Sequence, residues 1–288
     1  MKQRQTVMRI LPQRLQAALA QIDAAAVDDL RLRVGRPPVY AHAHTEYPLF
    51  LPDEKNNVSG AELEEIVMSA CGCSVYSVQS QLAAGYLILP GGHRIGICGT
   101  LVQESGRILT VREISSLCIR FAREIRTDVS PLRKALEEDL LIIGAPGSGK
   151  TTLLRNCIRQ ISESGRRISV ADERGEIAAA FSGKPQFDLG PCTDVMTGGK
   201  KSESMMLLLR SMTPAVLAVD EITAPEDVEA IRQAGYCGVR LLATAHAQSL
   251  DEFNGREVYR SLLKLGIFRR AVLLRPDRTF CLKELVGC

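Results

Sequence analysis

Residues 144–151 read Gly-Ala-Pro-Gly-Ser-Gly-Lys-Thr and match the pattern G-x-x-x-x-G-K-[ST] at every specified position. An apolar strand is predicted directly before this segment, at 140–143, and an amphipathic helix directly after it, at 150–162. Glycines let the backbone wrap closely around phosphate oxygens, and the start of a helix adds partial positive charge. The sequence therefore predicts a phosphate-binding loop at 144–151.

The loop also predicts the cofactors, ATP and Mg²⁺. Lys150 is expected to bridge the β- and γ-phosphates, and the Thr151 hydroxyl is expected to hold the metal ion. The expected nucleotide-binding residues of this segment are Gly144, Ala145, Pro146, Gly147, Ser148, Gly149, Lys150, Thr151 and Thr152.

A second apolar strand, predicted at 215–219, ends in the adjacent carboxylates Asp220 and Glu221. An aspartate at such a strand end can orient Mg²⁺ through its water shell, and the next glutamate can accept a proton from an attacking water. Asp220 is therefore predicted as a metal residue and Glu221 as a catalytic base. Thr223 and Glu226 have capping-box spacing, so part of this polar segment is expected to start a helix.

Two further apolar strands are followed by polar residues. The strand predicted at 168–171 leads into the charged segment 172–176, and the strand predicted at 241–245 leads into His246. The carboxyl ends of parallel strands line the ligand crevice of an α/β sheet. Taken alone, a solvated loop and a structural histidine remain the simpler interpretations of these two features.

The order of elements predicts two domains. Residues 1–125 mix helical and strand patterns, including a capping box at Ser59 and Glu62, and predict a smaller α+β domain. Residues 126–138 are charged and predict a linker. Residues 139–288 alternate buried strands with helices, which is typical of a mostly parallel sheet covered on both faces.

Composition narrows the class of protein. The chain of 288 residues is 45% hydrophobic and carries a net charge of +3, too little to indicate nucleic-acid binding by bulk electrostatics. Its nine cysteines lack a paired C-x-x-C pattern, so free thiols in a reducing compartment are expected. No apolar run approaches the length of a membrane helix. A cytoplasmic protein is predicted, with any peripheral membrane contact made through a partner.

Taken together, the motifs resemble the traffic ATPases of type II and type IV secretion. The resemblance rests on the phosphate loop, the acidic box at 172–176, the segment Leu-Arg-Ser-Met-Thr-Pro at 209–214, the acidic pair and Ala-Thr-Ala-His at 243–246. It implies a RecA-like P-loop domain preceded by an N-terminal domain, in a homo-oligomer that is expected to be a hexamer.

Other stretches resemble the stage III sporulation protein AA family of endospore-forming bacteria. These stretches are 30–37, 89–96, 114–117 and 170–174. The resemblance implies ATP hydrolysis that powers or assembles a channel complex between mother cell and forespore. It also implies membrane-protein components of that channel as partners.

The resemblance assigns roles to four more residues. His246 is expected to be a catalytic residue that senses the γ-phosphate. Glu173 and Arg174 occupy the acidic box, Glu173 as an expected catalytic residue and Arg174 as an expected nucleotide-binding one. Arg94 is expected to reach the nucleotide from the N-terminal domain. Relatives commonly carry Gly-Arg after the acidic pair, where this chain has Thr-Ala at 223–224. Arg174 and Arg210 are both open as replacements for that arginine.

Two other functions remain open on the sequence. A nucleic-acid translocase on the same core is disfavoured by the low net charge and by the lack of a basic or aromatic tract. A non-hydrolysing assembly switch, which uses ATP only to order an interface, is disfavoured by the intact Glu221.

The phosphate loop generates the first testable prediction. Lys150→Ala should strongly weaken ATP binding or hydrolysis while the protein stays folded, because it removes the cation that contacts the phosphates. ATP binding, turnover and circular dichroism of the purified variant check this. Unchanged hydrolysis in a folded variant would contradict the predicted loop.

Overall fold

The computed structural model describes residues 2–285, apart from 24–25, 44, 53–55 and 73–77. The chain divides into two compact units. The first comprises Met1–Glu124 together with Phe181–Gln186, and the second comprises Ile125–Ala180 together with Phe187–Cys288.

The first unit combines helices with one antiparallel sheet, ordered β3-β2-β1-β6-β5-β4. Its helices are α1 (Lys2–Ile10), α2 (Gln13–Ala20), α3 (Gly60–Ala70) and α4 (Gln79–Ala83). Its strands are β1 (Asp29–Arg33), β2 (Val39–His42), β3 (Thr45–Pro48), β4 (Tyr86–Ile88), β5 (Arg94–Glu104) and β6 (Arg107–Arg120).

Among the described residues, the helices and one face of this sheet enclose an apolar core. Leu30 and Leu32 alternate with polar residues along β1 and are fully buried, as expected for a strand with one covered face. The predicted capping box at the start of α3 is confirmed: Ser59 and Glu62 exchange hydrogen bonds. Glu62 also pairs with Arg14 of α2, whose Nε and Nη2 atoms each lie 2.6 Å from a carboxylate oxygen.

The short segment Phe181–Gln186 belongs to the first unit, although the residues on both sides of it belong to the second. The Gln186 side-chain oxygen accepts a hydrogen bond of 2.8 Å from the backbone N–H of Gly91. Phe181 and Lys184 pair with each other as an isolated bridge.

The second unit is an α/β layer structure with a sheet ordered β13-β12-β7-β11-β10-β8-β9. Its strands are β7 (Leu140–Gly144), β8 (Ile168–Asp172), β9 (Thr193–Thr197), β10 (Val216–Val219), β11 (Arg240–His246), β12 (Arg270–Leu274) and β13 (Phe280–Glu284). Its helices are α5 (Lys150–Glu163), α6 (Lys201–Ser211), α7 (Pro225–Tyr236), α8 (Leu250–Gly255) and α9 (Glu257–Lys264).

The predicted, mostly parallel sheet is confirmed. Each neighbouring pair from β12 to β9 is parallel, and only β12 and β13 pair in the antiparallel sense. Strand β7 is buried throughout, with Leu140 and Ile142 in one apolar core and Leu141 and Ile143 in a second. Alternate side chains therefore fill both faces of the sheet, which explains the continuous apolar runs in the sequence.

Several features differ from the sequence-based expectation or lie beyond it. Strands β2, β3 and β9 were not predicted, because short and partly exposed strands carry little hydrophobic periodicity. The segment 126–138, predicted as a linker, lies within the second unit and forms two short 3-10 helices there. The buried apolar residues of this segment are Val129, Leu132, Ala135 and Leu136.

In the part of the chain that the structure describes, no helix is long and apolar enough to cross a bilayer. The cysteines described there are free thiols, whereas Cys73 and Cys288 lie outside the described residues.

The contact between α2 and α3 generates a stability prediction. Glu62→Gln should lower the free energy of unfolding by about 1.5–3 kcal/mol at pH 7, because Arg14 loses a charge-assisted pair of hydrogen bonds. The Arg14 guanidinium holds the pKa of Glu62 at about 2 in the folded protein, below the ordinary 4.5. The folded state thus favours the ionised carboxylate, and the difference should persist above pH 4.5 and vanish as pH falls towards 2.

Urea denaturation of both proteins at several pH values measures this difference. Glu65→Gln is the matched control, since Glu65 is an exposed residue of the same helix. Equal destabilisation by the two substitutions would show that the Arg14 pair contributes nothing.

Candidate nucleotide site

The predicted phosphate loop joins β7 to α5, and its backbone depends on glycine at three positions. Gly147 and Gly149 have φ angles of +71° and +100°, which glycine adopts without a Cβ clash. A Cβ atom on Gly144 would lie 2.6 Å from the Ser148 hydroxyl oxygen and 3.1 Å from the Leu274 carbonyl oxygen. The loop can therefore lie close to β12 because Gly144 has no side chain.

Lys150 lies inside the loop at the start of α5. Its ammonium group donates a hydrogen bond of 2.8 Å to the carbonyl oxygen of Ala145, and the Ser148 hydroxyl donates to the same oxygen at 2.8 Å. Burial lowers the pKa of Lys150, while the nearby carboxylates of Asp220 and Glu221 act in the opposite direction. The cation is thus placed where the loop backbone curves around it.

The Asp220 carboxylate lies between two hydroxyl groups. It accepts a hydrogen bond of 2.7 Å from Thr151 at the start of α5 and a short one from Thr244 of β11. The fully buried Thr244 hydroxyl also accepts a hydrogen bond of 2.7 Å from the backbone N–H of Glu221. Thr244 lies within the segment 243–246, but no local signal in the sequence singles it out.

The strand order explains this convergence. Strand β11 lies between β7 and β10, pairing Ala243 with Val219 and His246 with Gly144. The carboxyl ends of these neighbouring parallel strands therefore meet at one edge of the sheet.

Glu221 adopts an unusual backbone conformation, with φ of +53°. The left-handed region costs a non-glycine residue about 1–2 kcal/mol. One of its carboxylate oxygens is 3.0 Å from the Arg174 guanidinium, and the other is 3.5 Å from Nδ1 of His246. The structure thus brings together three residues that were predicted from separate parts of the sequence.

The acidic box at 172–176 divides into residues with different surroundings. Asp172 is 2% exposed, and its carboxylate accepts hydrogen bonds from the backbone N–H groups of Ile177 and Ala178. Glu173 lies 3.7 Å from Lys201 Nζ. Desolvation, followed by the charge of Asp220, raises the pKa of Glu176, a residue not singled out from the sequence. Asp172 therefore shapes the loop, while the following residues face the site.

The helix after the acidic pair is capped by a different residue from the one predicted. Asp227 accepts hydrogen bonds from the backbone N–H groups of Thr223 and Ala224, at 3.0 Å and 3.1 Å. The predicted Thr223–Glu226 capping box is therefore wrong. Because α7 begins at Pro225, the reciprocal acid is the third residue of the helix, and that residue is Asp227.

The two open arginine candidates have different locations. Arg174, with a side chain 64% exposed, contacts Glu221, whereas Arg210 is an exposed residue in the last turn of α6. Arg94 belongs to the first unit, where its guanidinium lies 4.0 Å from the centre of the Tyr86 ring. Its contact with nucleotide stays a prediction.

A cleft of about 170 Å³ adjoins the phosphate loop. Thr152 of α5 lies on one side of it, and Ile125, Leu274 and Phe280 give it an apolar wall. Apolar walls with a few polar groups are typical of small-molecule sites.

The oxygen atoms next to the loop are suitable ligands for a Mg²⁺ ion that is bound together with a phosphate group. Over the described ranges, no group of three or more His, Cys, Asp or Glu residues has a metal-binding arrangement. Thr151 and Asp220 supply a hydroxyl and a carboxylate 2.7 Å apart. Mg²⁺ commonly takes one or two protein oxygens and completes its octahedron with phosphate and water.

The shared Thr244 hydroxyl generates the next prediction. Thr244→Val, which keeps the shape of the side chain, should lower the free energy of unfolding by about 1–3 kcal/mol, because a partly buried N–H group and a carboxylate oxygen lose their partner. Thr244→Ser keeps the hydroxyl and should restore most of the loss. Thermal and urea denaturation measure both variants; equal stability of the valine variant and the parent would show that the hydroxyl contributes nothing.

Comparison with known proteins agrees with this architecture. The family described as "Sporulation stage III, protein AA" matches residues 1–280. Stage III sporulation protein AA of Bacillus subtilis is 32% identical over 278 residues, which cover 92% of this chain and 88% of the relative.

Two solved structures share the fold at low sequence identity. The pilus retraction motor PilT with bound ADP aligns at a TM-score of 0.63 with 17% identity, covering 95% of this chain and 83% of that one. The Legionella pneumophila ATPase DotB aligns at 0.58 with 17% identity, covering 94% and 81%. The predicted fold class, a RecA-like P-loop domain with a smaller α+β domain before it, is thereby confirmed.

The match over nearly the whole chain, together with the loop, the acidic pair and the sheet that aligns them, shows that this protein belongs to the stage III sporulation protein AA family.

Proposed function

We propose that this protein is a Mg²⁺-dependent ATPase that acts as an oligomeric, secretion-type motor in sporulation. The observation that carries the proposal is the Asp220 carboxylate, which lies between the hydroxyls of Thr151 and Thr244 with Glu221 directly after it. This arrangement joins a phosphate loop, a metal-side acid and a candidate base at one edge of the sheet.

The loop residues would bind and orient the triphosphate. The backbone N–H groups at the start of α5 face the phosphates, and the Lys150 ammonium exchanges its carbonyl partner, Ala145, for phosphate oxygens. Mg²⁺, when bound, neutralises charge that develops on the β- and γ-phosphate oxygens. Thr151 and Asp220 would hold it. The apolar wall beside Thr152 is suited to the nucleotide base.

Glu221 would accept the proton of the attacking water. His246, which lies 3.5 Å from Glu221 and pairs with Gly144 in the sheet, would sense the γ-phosphate. Glu176, which lines an acidic pocket together with Asp220 and Glu221, is the alternative base, and its pKa is raised.

The Arg174 guanidinium stabilises the ionised form of Glu221 and so makes that carboxylate a weaker base. Their 3.0 Å contact is therefore the observation that favours the second candidate function, a non-hydrolysing switch. The side chain of Arg174 is largely exposed, so ATP phosphates can attract its guanidinium away from the glutamate.

Family membership and fold extend the proposal from chemistry to biology. A member of a sporulation family with the fold of PilT and DotB would use ATP to power or assemble a membrane channel. We propose a homo-oligomer, expected to be a hexamer, that is cytoplasmic and contacts membrane-protein components of the channel without binding nucleic acid. Arg94 and Arg174 would complete the nucleotide contacts, and Glu173 would support catalysis from the acidic box.

Substitution of the candidate base separates a motor from a switch. Glu221→Gln should retain ATP and Mg²⁺ binding but lower kcat by about 10²–10⁴-fold, because an amide cannot take the proton. The variant should also accumulate the assembled state with ATP, seen as a higher apparent mass in light scattering. Glu226→Gln is the matched control, because Glu226 is an exposed acid in the same segment.

Two other outcomes would change the proposal, one in the identity of the base and one in the function. Parental turnover by Glu221→Gln, together with loss of turnover in Glu176→Gln, would move the base to Glu176. A parent protein that binds ATP and assembles without measurable hydrolysis would favour the switch.

A further inference from the structure

Lys201, the first residue of α6, is a buried cation at the edge of the candidate site. Its side chain is 8% exposed, whereas the neighbouring Lys200 is exposed. A lysine ammonium is costly to bury unless charged and polar groups surround it. The position of Lys201 therefore has to be explained by its contacts.

Nearly all of these contacts hold the segment that follows β10. The ammonium group donates a short hydrogen bond to the carbonyl oxygen of Glu221 and lies 3.4 Å from both the Asp220 carbonyl oxygen and the Thr223 hydroxyl. The carboxylate of Asp227, which lies 3.7 Å from the ammonium group, accepts hydrogen bonds from the backbone of the same segment. One cation thus contacts the backbone of both acidic residues.

Lys201 and Thr244 hold opposite ends of one residue. The Thr244 hydroxyl accepts the backbone N–H of Glu221 at 2.7 Å, and the Lys201 ammonium binds its carbonyl oxygen. Glu221 has its φ of +53° between these two contacts. Because the backbone conformation sets the direction of the side chain, the two contacts together aim the Glu221 carboxylate.

Lys201 also reaches the acidic box. Its 3.7 Å contact with Glu173 connects the loop after β8 to the loop after β10. Both loops contribute to one acidic pocket, which includes Glu176 and Glu221. A displaced ammonium group would therefore release the candidate base and the loop opposite it together.

We propose that Lys201 is a positioning residue for hydrolysis, which holds the Glu221 peptide in the left-handed conformation that aims its carboxylate at the attacking water. The inference rests on the proposed function, because it assigns Lys201 its effect through the candidate base. No nucleotide contact by Lys201 itself is required.

Lys201→Met tests this role, since methionine keeps the apolar stem and removes the ammonium. A misplacement of about 1 Å can cost on the order of 10²-fold in rate, and a fall of that size in kcat is expected. The affinity for a non-hydrolysable ATP analogue with Mg²⁺ should stay at the parental value, because the phosphate loop is untouched. Lys200→Met is the matched control and should leave both values unchanged.

A second variant addresses folding. Lys201→Met leaves the buried Asp227 carboxylate without its cation, so Lys201→Met with Asp227→Asn restores charge balance. This double variant should fold, bind the analogue as the parent does and still hydrolyse slowly. If both variants are unfolded, Lys201 is a structural residue and the inference is wrong.

Combination with Glu221→Gln separates action through Glu221 from action elsewhere. Lys201→Met should cause no further loss of single-turnover rate in the Glu221→Gln background, whereas an additional loss of similar size would overturn the inference. A fully active Lys201→Met variant of an active parent would overturn the inference alone. A parent that neither binds nor hydrolyses ATP would overturn the proposed function together with it.

Discussion

The hydrogen bonds to the Asp220 carboxylate organise the nucleotide-binding unit. Thr151 comes from the start of α5 and Thr244 from β11, so one side chain connects three elements that are distant in sequence. The Thr244 hydroxyl also accepts a hydrogen bond from the backbone N–H of Glu221, so the network includes the candidate base. In a partly buried network of this kind, each hydrogen bond is strengthened by the polarisation of its neighbours, and the loss of one group leaves several unsatisfied. The parallel register of β7, β11 and β10 makes the network geometrically possible.

The parts of the site that could be predicted from sequence are those whose chemistry is local. The phosphate loop needs glycines and a lysine at fixed spacing, and Asp220 and Glu221 follow an apolar strand that marks them as a strand end. Lys201 and Asp227 carry no such signal, because a lysine at a helix start and an acid in a first turn are common surface residues. Their roles arise only when α6 packs against β10 and α7, which is a tertiary effect that periodicity does not encode. The capping acid of α7 was misplaced for a related reason: the spacing rule is reliable, but the exact first residue of a helix is not evident from sequence.

The acidic pocket contains several carboxylates at close quarters, and the structure separates them by environment. Asp172 is stabilised by backbone N–H groups, Glu173 by Lys201, and Glu221 by Arg174. Burial, followed by the Asp220 charge, raises the pKa of Glu176, and burial also raises the pKa of Asp172 against the effect of its amide contacts. Like charges this close are tolerated only where cations or amide dipoles balance them. Balanced, individually tuned carboxylates are typical of sites that handle protons and metal ions.

The segment Phe181–Gln186 makes the first unit a discontinuous domain. The polypeptide passes from one unit to the other three times, at 124–125, 180–181 and 186–187. A fragment that begins at residue 125 therefore does not correspond to the nucleotide-binding unit alone. The fragment would still contain Phe181–Gln186, with Gln186 deprived of its bond to Gly91 and with Phe181 removed from the unit to which it belongs. A clean excision requires two operations: removal of residues 1–124 and replacement of 181–186 by a short polar connection.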